Sequence, residues 1–186
     1  MAEAFAAIEA IHYVLTKSGK EEKLKIVKLI YLADKYHLLR WGRTITNDDY
    51  YAMEHGTVGS LTLNVLCFDD LYLSTDELEF ALRLLKKVGK HELSTKNEMA
   101  IDYEYLSETD KEAIDFIYKI FGNYDKYWLR DYTHRLSEWQ KHEESLNAGS
   151  KREKIDINDL FNLSNDDFNI NPEHVEDAKA IYFGQY

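Results

Sequence analysis

Apolar residues recur at three- and four-residue steps over much of the chain, which is the period of an amphipathic helix. The first such stretch begins near Phe5 and ends near Ser18-Gly19. The second, about residues 21–39, is apolar around most of its circumference, and Gly42 is well placed to end it. This breadth predicts a central helix that is buried on nearly all sides.

Helix-start and helix-stop residues predict the other helices. Ser74-Thr75-Asp76-Glu77 has the pattern of a capping box, and Ser107-Glu108-Thr109-Asp110 marks a second start. Asn171-Pro172 places a cap before a proline in the first helical position. We therefore expect helices from the first cap through about Val88, from the second to Gly122, at 128–132, at 137–146, and after Pro172.

One segment interrupts the helical pattern. Residues 42–60, GRTITNDDYYAMEHGTVGS, are rich in turn formers and aromatic residues. Residues 44–46 and 50–53 favour strands, and the Asn-Asp-Asp sequence between them favours a turn, so we expect a β-hairpin. Residues 99–101 are expected to add a short strand to it.

These patterns predict a mainly α fold of the α+β class. We expect a compact bundle of about six to eight helices with a small antiparallel β-hairpin or three-stranded sheet. Residues 147–154, NAGSKREK, are expected to form an exposed linker.

The charge balance narrows the classes of partner. The chain has 34 acidic and 23 basic residues, a formal charge of −11, so it should repel a nucleic-acid backbone and suits a basic protein partner. No apolar run approaches the ~18 residues of a membrane span, and the N-terminus lacks the basic region of a secretory signal. We therefore expect a cytoplasmic protein without a membrane or direct nucleic-acid partner.

No pattern in the sequence requires an enzyme or a cofactor. Gly56 and Gly59 are expected to form a turn into the next helix, because GTVGS lacks the spacing and the lysine of a phosphate-binding loop. The only cysteine, Cys67, excludes an intramolecular disulfide and a cysteine-based zinc site.

A metal site is the open chemical alternative. Four side chains form two carboxylate–histidine pairs, each with a three-residue spacing on a predicted helix: Asp34, His37, Asp131 and His134. Two such pairs from two helices resemble a di-carboxylate metal site in outline. The alternative is therefore a metal-dependent hydrolase or a ligand-sensing domain.

The aromatic residues favour a protein-binding surface. Tyr50 and Tyr51 must point to opposite faces of a strand, so one is expected in the core and the other outward. Exposed Tyr and Trp commonly anchor protein interfaces. The predicted contact residues are the outward member of the pair Tyr50/Tyr51, His55, Trp128 and Trp139. Arg43 and Asp48 are predicted to pair and fix the hairpin.

Two blocks of the sequence carry a family resemblance. KLIYLADKYHLLRWGRTITNDDYYAMEHGTVGS, at 28–60, resembles the hallmark K-L-L-Y-x-A-D-x-x-H-L, Y-G-R-P-I-T-G-D-x-Y, A-M-x-x-G-P-V-P-S of the SocA-like, or Panacea, antitoxin domain. Residues 106–141 are similar to its L-S-x-x-D…G…L-x-x-x-T-H…W pattern. The chain departs from the hallmark at four positions, where prolines or a glycine are replaced: Thr44, Asn47, Thr57 and Gly59.

The resemblance implies a phage-associated antitoxin of a type II toxin–antitoxin system that neutralises a cognate protein toxin by direct binding. In one branch of the family the protein instead delivers the toxin to a cytoplasmic protease. The resemblance implies a domain over residues 1–146, and we expect 147–186 to be a C-terminal extension whose last helix packs on that domain. The motif positions given a structural role are Asp34, His37, Gly42, Arg43, Asp48, Gly56 and His134.

Overall fold

The computed structural model describes residues 4–96, 101–163 and 167–184, and this part of the chain forms a mainly helical fold with two small antiparallel sheets. The α-helices are α1 (Phe5–Ser18), α2 (Lys23–Trp41), α3 (Ser60–Cys67), α4 (Thr75–Leu84), α5 (Glu108–Phe121), α6 (Lys126–His134), α7 (Ser137–Gln140), α8 (Glu143–Asn147) and α9 (Pro172–Phe183). A 3-10 helix spans Ile157–Phe161. The strands are β1 (Lys20–Glu22), β2 (Tyr50–Met53), β3 (Gly56–Gly59), β4 (Leu85–Lys87), β5 (Glu92–Thr95) and β6 (Arg152–Lys154). The predicted fold class is confirmed.

Helix α2 is the centre of the fold. Every residue from Ile26 to Leu39 is buried, although the stretch includes the ionisable side chains of Lys28, Asp34, Lys35 and His37. The helix packs against α5, α6, α9 and strand β3. It ends at Gly42, which has the left-handed φ of 71° that a residue after a helix often needs. The prediction of a central, buried helix is confirmed.

The hairpin exists, but its strands differ from those predicted. Strand β2 pairs with β3, from Tyr50 opposite Gly59 to Met53 opposite Gly56, with the turn at residues 54–55. Residues 44–46 form no strand, because the backbone N–H groups of Ile45 and Thr46 donate hydrogen bonds to the Asp34 carboxylate of α2. The prediction paired residues 44–46 with 50–53, whereas the structure pairs 50–53 with 56–59, so the predicted location was wrong. The segment from Gly56 to Gly59, predicted to be a turn, is strand β3.

The third strand of this sheet comes from the C-terminal part of the chain. Strand β6 pairs with the other edge of β2, giving the order β3-β2-β6. The Arg152 guanidinium lies 4.9 Å from the centre of the Tyr51 ring, and Lys154 forms an ion pair with Asp49. Residues 152–154 were predicted to belong to a linker, which was wrong because their side chains find partners on β2 and the turn before it. Of the predicted strand at 99–101, Met99 and Ala100 lie outside the described residues and Ile101 is in no strand.

Two helix ends also differ from the prediction. Helix α4 ends at Leu84 instead of continuing to Val88, because β4 follows it and pairs with β5 in the sheet β1-β5-β4. The predicted helix at 137–146 is two short helices, α7 and α8. Both capping boxes are present, at Ser74 with Glu77 and at Ser107 with Asp110.

Among the described residues, no helix is both long and apolar enough to cross a membrane.

Candidate partner-binding site around the hairpin

Asp34 ties helix α2 to the segment that leads into the hairpin. Its fully buried carboxylate accepts hydrogen bonds from the backbone N–H groups of Ile45, at 2.8 Å, and Thr46, at 3.0 Å. The Thr46 hydroxyl donates a third, at 2.5 Å. Burial raises the pKa of Asp34 to about 7, although the Thr46 donors act in the opposite direction. This carboxylate fixes the path of residues 44–46.

Asp48 fixes the other end of the hairpin. Its carboxylate accepts hydrogen bonds from the backbone N–H groups of Leu61, at 2.7 Å, and Thr62, at 2.8 Å, in the first turn of α3. A Cβ atom on Gly59 would collide with this carboxylate, so only glycine allows the approach. Burial raises the pKa of Asp48. Asp48 is therefore the cap that joins the end of β3 to α3.

His37 and Arg43 meet a carboxylate of α5. The Arg43 carbonyl oxygen accepts a hydrogen bond from His37 Nδ1 at 2.8 Å, and His37 Nε2 lies 3.0 Å from the Thr109 hydroxyl. The Arg43 guanidinium pairs with Asp110 at 2.8 Å. Burial lowers the pKa of His37, which favours the neutral ring that these bonds suit. The predicted pairing of Arg43 with Asp48 was wrong, because Asp48 is committed to α3.

A third polar group of α2, the Lys28 ammonium, supports strand β3. The fully buried Lys28 ammonium donates to the Thr57 carbonyl oxygen at 2.5 Å. Gly56, at φ 89°, brings the strand so close that an added Cβ atom would lie 2.9 Å from Lys28 Nζ. Burial lowers the pKa of Lys28 well below its ordinary value. Helix α2 thus holds the hairpin through Lys28, Asp34 and His37, each one or two turns from the next.

The family follows from comparison with known proteins. The model of the antitoxin SocA-like, Panacea domain family matches residues 26–140. The chain belongs to this family. A search of curated proteins and a search of solved structures each return no match.

The matched region of this Panacea domain contains Lys28, Asp34, His37 and Asp48, whose side chains hold the hairpin. Asn47, which stands where the hallmark has a glycine, adopts the left-handed φ of 50° that glycine favours and asparagine tolerates. Of the hallmark residues that sequence analysis assigned a structural role, Asp34, His37 and Asp48 are held in internal hydrogen bonds, and Gly56 lies where a Cβ atom would collide with its neighbours. Gly42 also meets a neighbour closely, because a Cβ atom there would lie 2.6 Å from the Ala178 carbonyl oxygen of α9.

The predicted contact residues divide into two groups. Tyr50 and Trp139 are only 3% and 6% exposed, and the Trp139 indole donates to the Met53 carbonyl oxygen at 2.9 Å. Burial makes Trp139 a support of the sheet rather than a contact residue, and Tyr50 is the inward member of the tyrosine pair. Tyr51 and Trp128 are half-buried, and His55 is exposed at the tip of the hairpin.

The four residues of the metal alternative lie in different environments. Asp34 and His37 are occupied by the bonds already described. Asp131 is exposed and pairs with Arg130 at 2.7 Å, while the His134 ring stacks on Trp139 with centres 3.9 Å apart. In the described part of the chain no three His, Cys, Asp or Glu side chains form a group that could hold a metal ion. Among the described residues, these four side chains therefore do not come together as one metal-binding group.

Sequence analysis missed a buried ion pair of the Panacea domain. Glu138 of α7 accepts from the Lys35 ammonium at 2.9 Å and from the Tyr31 hydroxyl at 2.7 Å, and both charged side chains are wholly buried. A lysine within an otherwise apolar face of α2 was the available hint, because a buried charge needs a partner. Its partner lies 103 residues away in sequence, so the spacing gave no indication of which acid it was.

An open groove of about 690 Å³ lies beside the hairpin, between residues 47–50 and 154–157, with Tyr182 of α9 at its wall. Its carboxylates already have internal partners. Asp48 caps α3, Asp49 pairs with Lys154 at 2.8 Å, and Asp156 accepts from the Asn158 backbone at 2.9 Å. The groove is a surface depression without a free charged group aimed into it.

Proposed function

We propose that this protein is an antitoxin that neutralises a cognate protein toxin by binding it directly. The observation that carries the proposal is the match of the antitoxin SocA-like, Panacea domain over residues 26–140. The toxin would be the product of a gene adjacent to this one.

The geometry of the hairpin supports a binding role rather than a catalytic one. The side chains of Lys28, Asp34, His37 and Asp48 are engaged in internal hydrogen bonds with the hairpin and the segments beside it. These side chains are therefore not free to act on a substrate. The tip and outer face remain accessible and are held in one position by these bonds. A surface that is rigid before binding loses little conformational entropy when it meets a partner.

Two accessible aromatic surfaces fit such a partner. The first surface, on the hairpin, is formed by Tyr51, whose ring lies under the Arg152 guanidinium, and by His55 at the tip. On α6, Trp128 stacks on Tyr124 with ring centres 3.7 Å apart. Tyr, Trp and Arg are the residues most enriched among those that dominate binding energy. We propose Tyr51, His55 and Trp128 as contact residues.

The charge of −11 supports a basic partner. Opposite net charges accelerate association, and the effect weakens as salt screens it. A toxin that must engage an anionic substrate such as RNA would carry the complementary charge.

The test is co-expression of this protein with the product of the adjacent gene. We expect that product to arrest growth when expressed alone, and co-expression to restore growth and yield a stable complex. A harmless product that does not co-purify would overturn the proposal. The amount of the toxin separates two mechanisms, since direct inhibition leaves it constant whereas delivery to a protease depletes it.

A contact-residue variant sharpens the test. Tyr51→Ala with His55→Ala is expected to weaken the complex by about tenfold, as removal of an interface anchor does. His91→Ala, in the exposed turn between β4 and β5, is the control and should bind normally. Equal binding by both variants would remove the hairpin tip from the interface while leaving the antitoxin role intact.

A further inference from the structure

The most exposed apolar side chains among the described residues lie side by side in the turn between α3 and α4. Leu71 is 86% exposed and Tyr72 is 70% exposed. Scattered apolar side chains are normal on a protein surface, but two adjacent ones that protrude together form a convex apolar point. None of the groups described above accounts for them.

This turn, residues 69–74, is held firmly. The Asp69 carboxylate accepts from the Leu71 N–H at 3.1 Å, and the Asp69 carbonyl oxygen accepts from the N–H groups of Tyr72, at 3.2 Å, and Leu73, at 3.0 Å. Leu73 is buried beneath the turn, and Ser74 closes it with the capping box of α4. The backbone below the two exposed side chains is therefore hydrogen-bonded within the turn and to the start of α4.

The segment before the turn is equally constrained. Phe68 ends α3 at a left-handed φ of 54°, and the Asp69 N–H donates to the Asn64 carbonyl oxygen at 3.0 Å. On the other side, Glu77 accepts from the Ala4 backbone N–H at 2.6 Å, which ties the start of α4 to the N-terminal part of the chain. Both ends of the turn thus rest on hydrogen bonds to the folded domain.

The sequence of the turn is acidic, although a cation also lies near its start, since the Lys87 ammonium is 5.1 Å from the centre of the Phe68 ring. Asp70, Asp76 and Glu79 are exposed within eight residues of Leu71, and the stretch 69–79 contains no basic residue. Two protruding apolar side chains flanked by exposed carboxylates are complementary to an apolar pocket that has basic side chains at its border. The carboxylates would steer the approach, and the apolar side chains would supply the buried contact.

Tyr127, the exposed aromatic residue of α6, already has cationic side chains near its ring. The Tyr127 ring already has the Lys126 ammonium at 5.1 Å and the Arg130 guanidinium at 5.5 Å from its centre. Leu71 and Tyr72 are more exposed than Tyr127, at 86% and 70% against 56%, so more of their surface is available to a partner.

We propose that Leu71 and Tyr72 insert into an apolar pocket on the toxin that is bordered by lysine and arginine side chains. The inference rests on the proposed function and names a second anchor for the same partner, on a different part of the surface from the hairpin tip. The partner recognised in this way is a basic protein that presents a concave apolar site.

The experiment compares three proteins against the purified product of the adjacent gene. One carries Leu71→Ser with Tyr72→Ser, a matched control carries Leu82→Ser on the exposed face of α4, and the third is unchanged. The double variant is expected to bind about tenfold or more weakly, while the control binds as the unchanged protein does. Thermal unfolding should be the same for all three, because neither variant touches the bonds that hold the turn.

A charge variant tests a flanking carboxylate separately. Asp70→Lys is expected to slow association several-fold at low salt, and the difference should shrink as salt is added. Glu144→Lys, an exposed glutamate of α8, is the matched control.

The outcomes separate the two proposals. If the unchanged protein binds and rescues growth but the double variant binds equally well, the inference about Leu71 and Tyr72 is overturned and the antitoxin role stands. An equal loss with Leu82→Ser also overturns it, because the effect is then not specific to the turn. If the unchanged protein neither binds nor rescues, the antitoxin role fails and the inference fails with it.

Discussion

Thr46 gives the Asp34 carboxylate two hydrogen bonds, one from its backbone N–H at 3.0 Å and one from its hydroxyl at 2.5 Å. The two residues are 12 positions apart, on the central helix and in the segment before the hairpin. Because both are buried, the bonds replace water for groups that would otherwise be costly to enclose. This contact places the hairpin relative to α2, and it is the first that we would test.

Asp34→Ala is expected to destabilise the protein by about 2–5 kcal/mol, because it leaves the buried N–H groups of Ile45 and Thr46 without an acceptor. Asp34→Asn should cost much less, since its amide oxygen can accept both N–H groups and its NH₂ can donate to the Thr46 hydroxyl. Urea unfolding measures both, with the exposed Asp131→Ala as the control. Equal losses for Ala and Asn would contradict this account.

The same residue should give stability a pH dependence. Burial raises the Asp34 pKa from its ordinary 3.8 to about 7, so the folded state holds this proton more tightly than the unfolded chain. The Asp34 contribution is therefore fully present below 3.8 and is lost as pH rises towards about 7. Asp34→Asn has no such proton, so its stability relative to the unchanged protein should improve with rising pH across that window.

The comparison with Asp34→Asn is needed because other groups act in the opposite direction. Burial lowers the pKa of His12, His37 and His134, so their contribution to stability is lost as pH falls below the ordinary 6.5. Both proteins share these histidines, and the difference between their unfolding free energies isolates Asp34. A difference that stays constant with pH would show that the Asp34 pKa is not raised by folding.

Gly59→Ala tests the cap that Asp48 places on α3. The new methyl group would collide with the Asp48 carboxylate and break its bonds to Leu61 and Thr62, so we expect a loss of about 1–3 kcal/mol. Gly89→Ala is the control, because its Cβ atom would meet the Glu92 carboxylate at 3.3 Å and the Glu92 Cβ at 3.9 Å, without a collision with the backbone. Chemical denaturation of the two variants gives the comparison, and similar midpoints would refute a specific role for Gly59.

Removing one charge of the buried ion pair between Lys35 and Glu138 should lower the free energy of unfolding more than replacing both charged side chains with apolar ones. Glu138→Gln leaves the Lys35 ammonium buried without a counter-charge, so we expect a loss of about 3–5 kcal/mol. Replacing the whole group, with Lys35→Met, Glu138→Leu and Tyr31→Phe, should retain more stability than Glu138→Gln alone. If the triple variant is the less stable of the two, the pair contributes net stability of its own.

Local patterns were sufficient to predict most helices. The extents of α1 and α5 follow from apolar periodicity and glycine stops, and the capping boxes at Ser74 and Ser107 are satisfied by residues three positions away. Those are interactions between near neighbours, which the sequence displays directly. The end of α4 was missed because the competing interaction, pairing of Leu85–Lys87 with β5, lies outside the helix.

The candidate site was less predictable for the same reason. Arg43 was expected to pair with Asp48, five residues away, but pairs with Asp110 across the domain. Trp139 was expected on the surface, but α7 packs it against the hairpin, where its indole bonds to Met53. In each case a partner distant in sequence offered a better bond than the near one.

The sequence by itself determined the helical content, the glycine-ended central helix and the family, because periodicity, caps and hallmark residues are local properties of the chain. Only the tertiary structure decided which segments pair as strands and which aromatic residues face outward. Those outcomes depend on Asp34, Asp48 and Glu138, whose partners are brought close by the packing of helices around α2. Buried polar groups must find partners wherever the folded chain supplies them, and their identity is fixed by packing rather than by spacing.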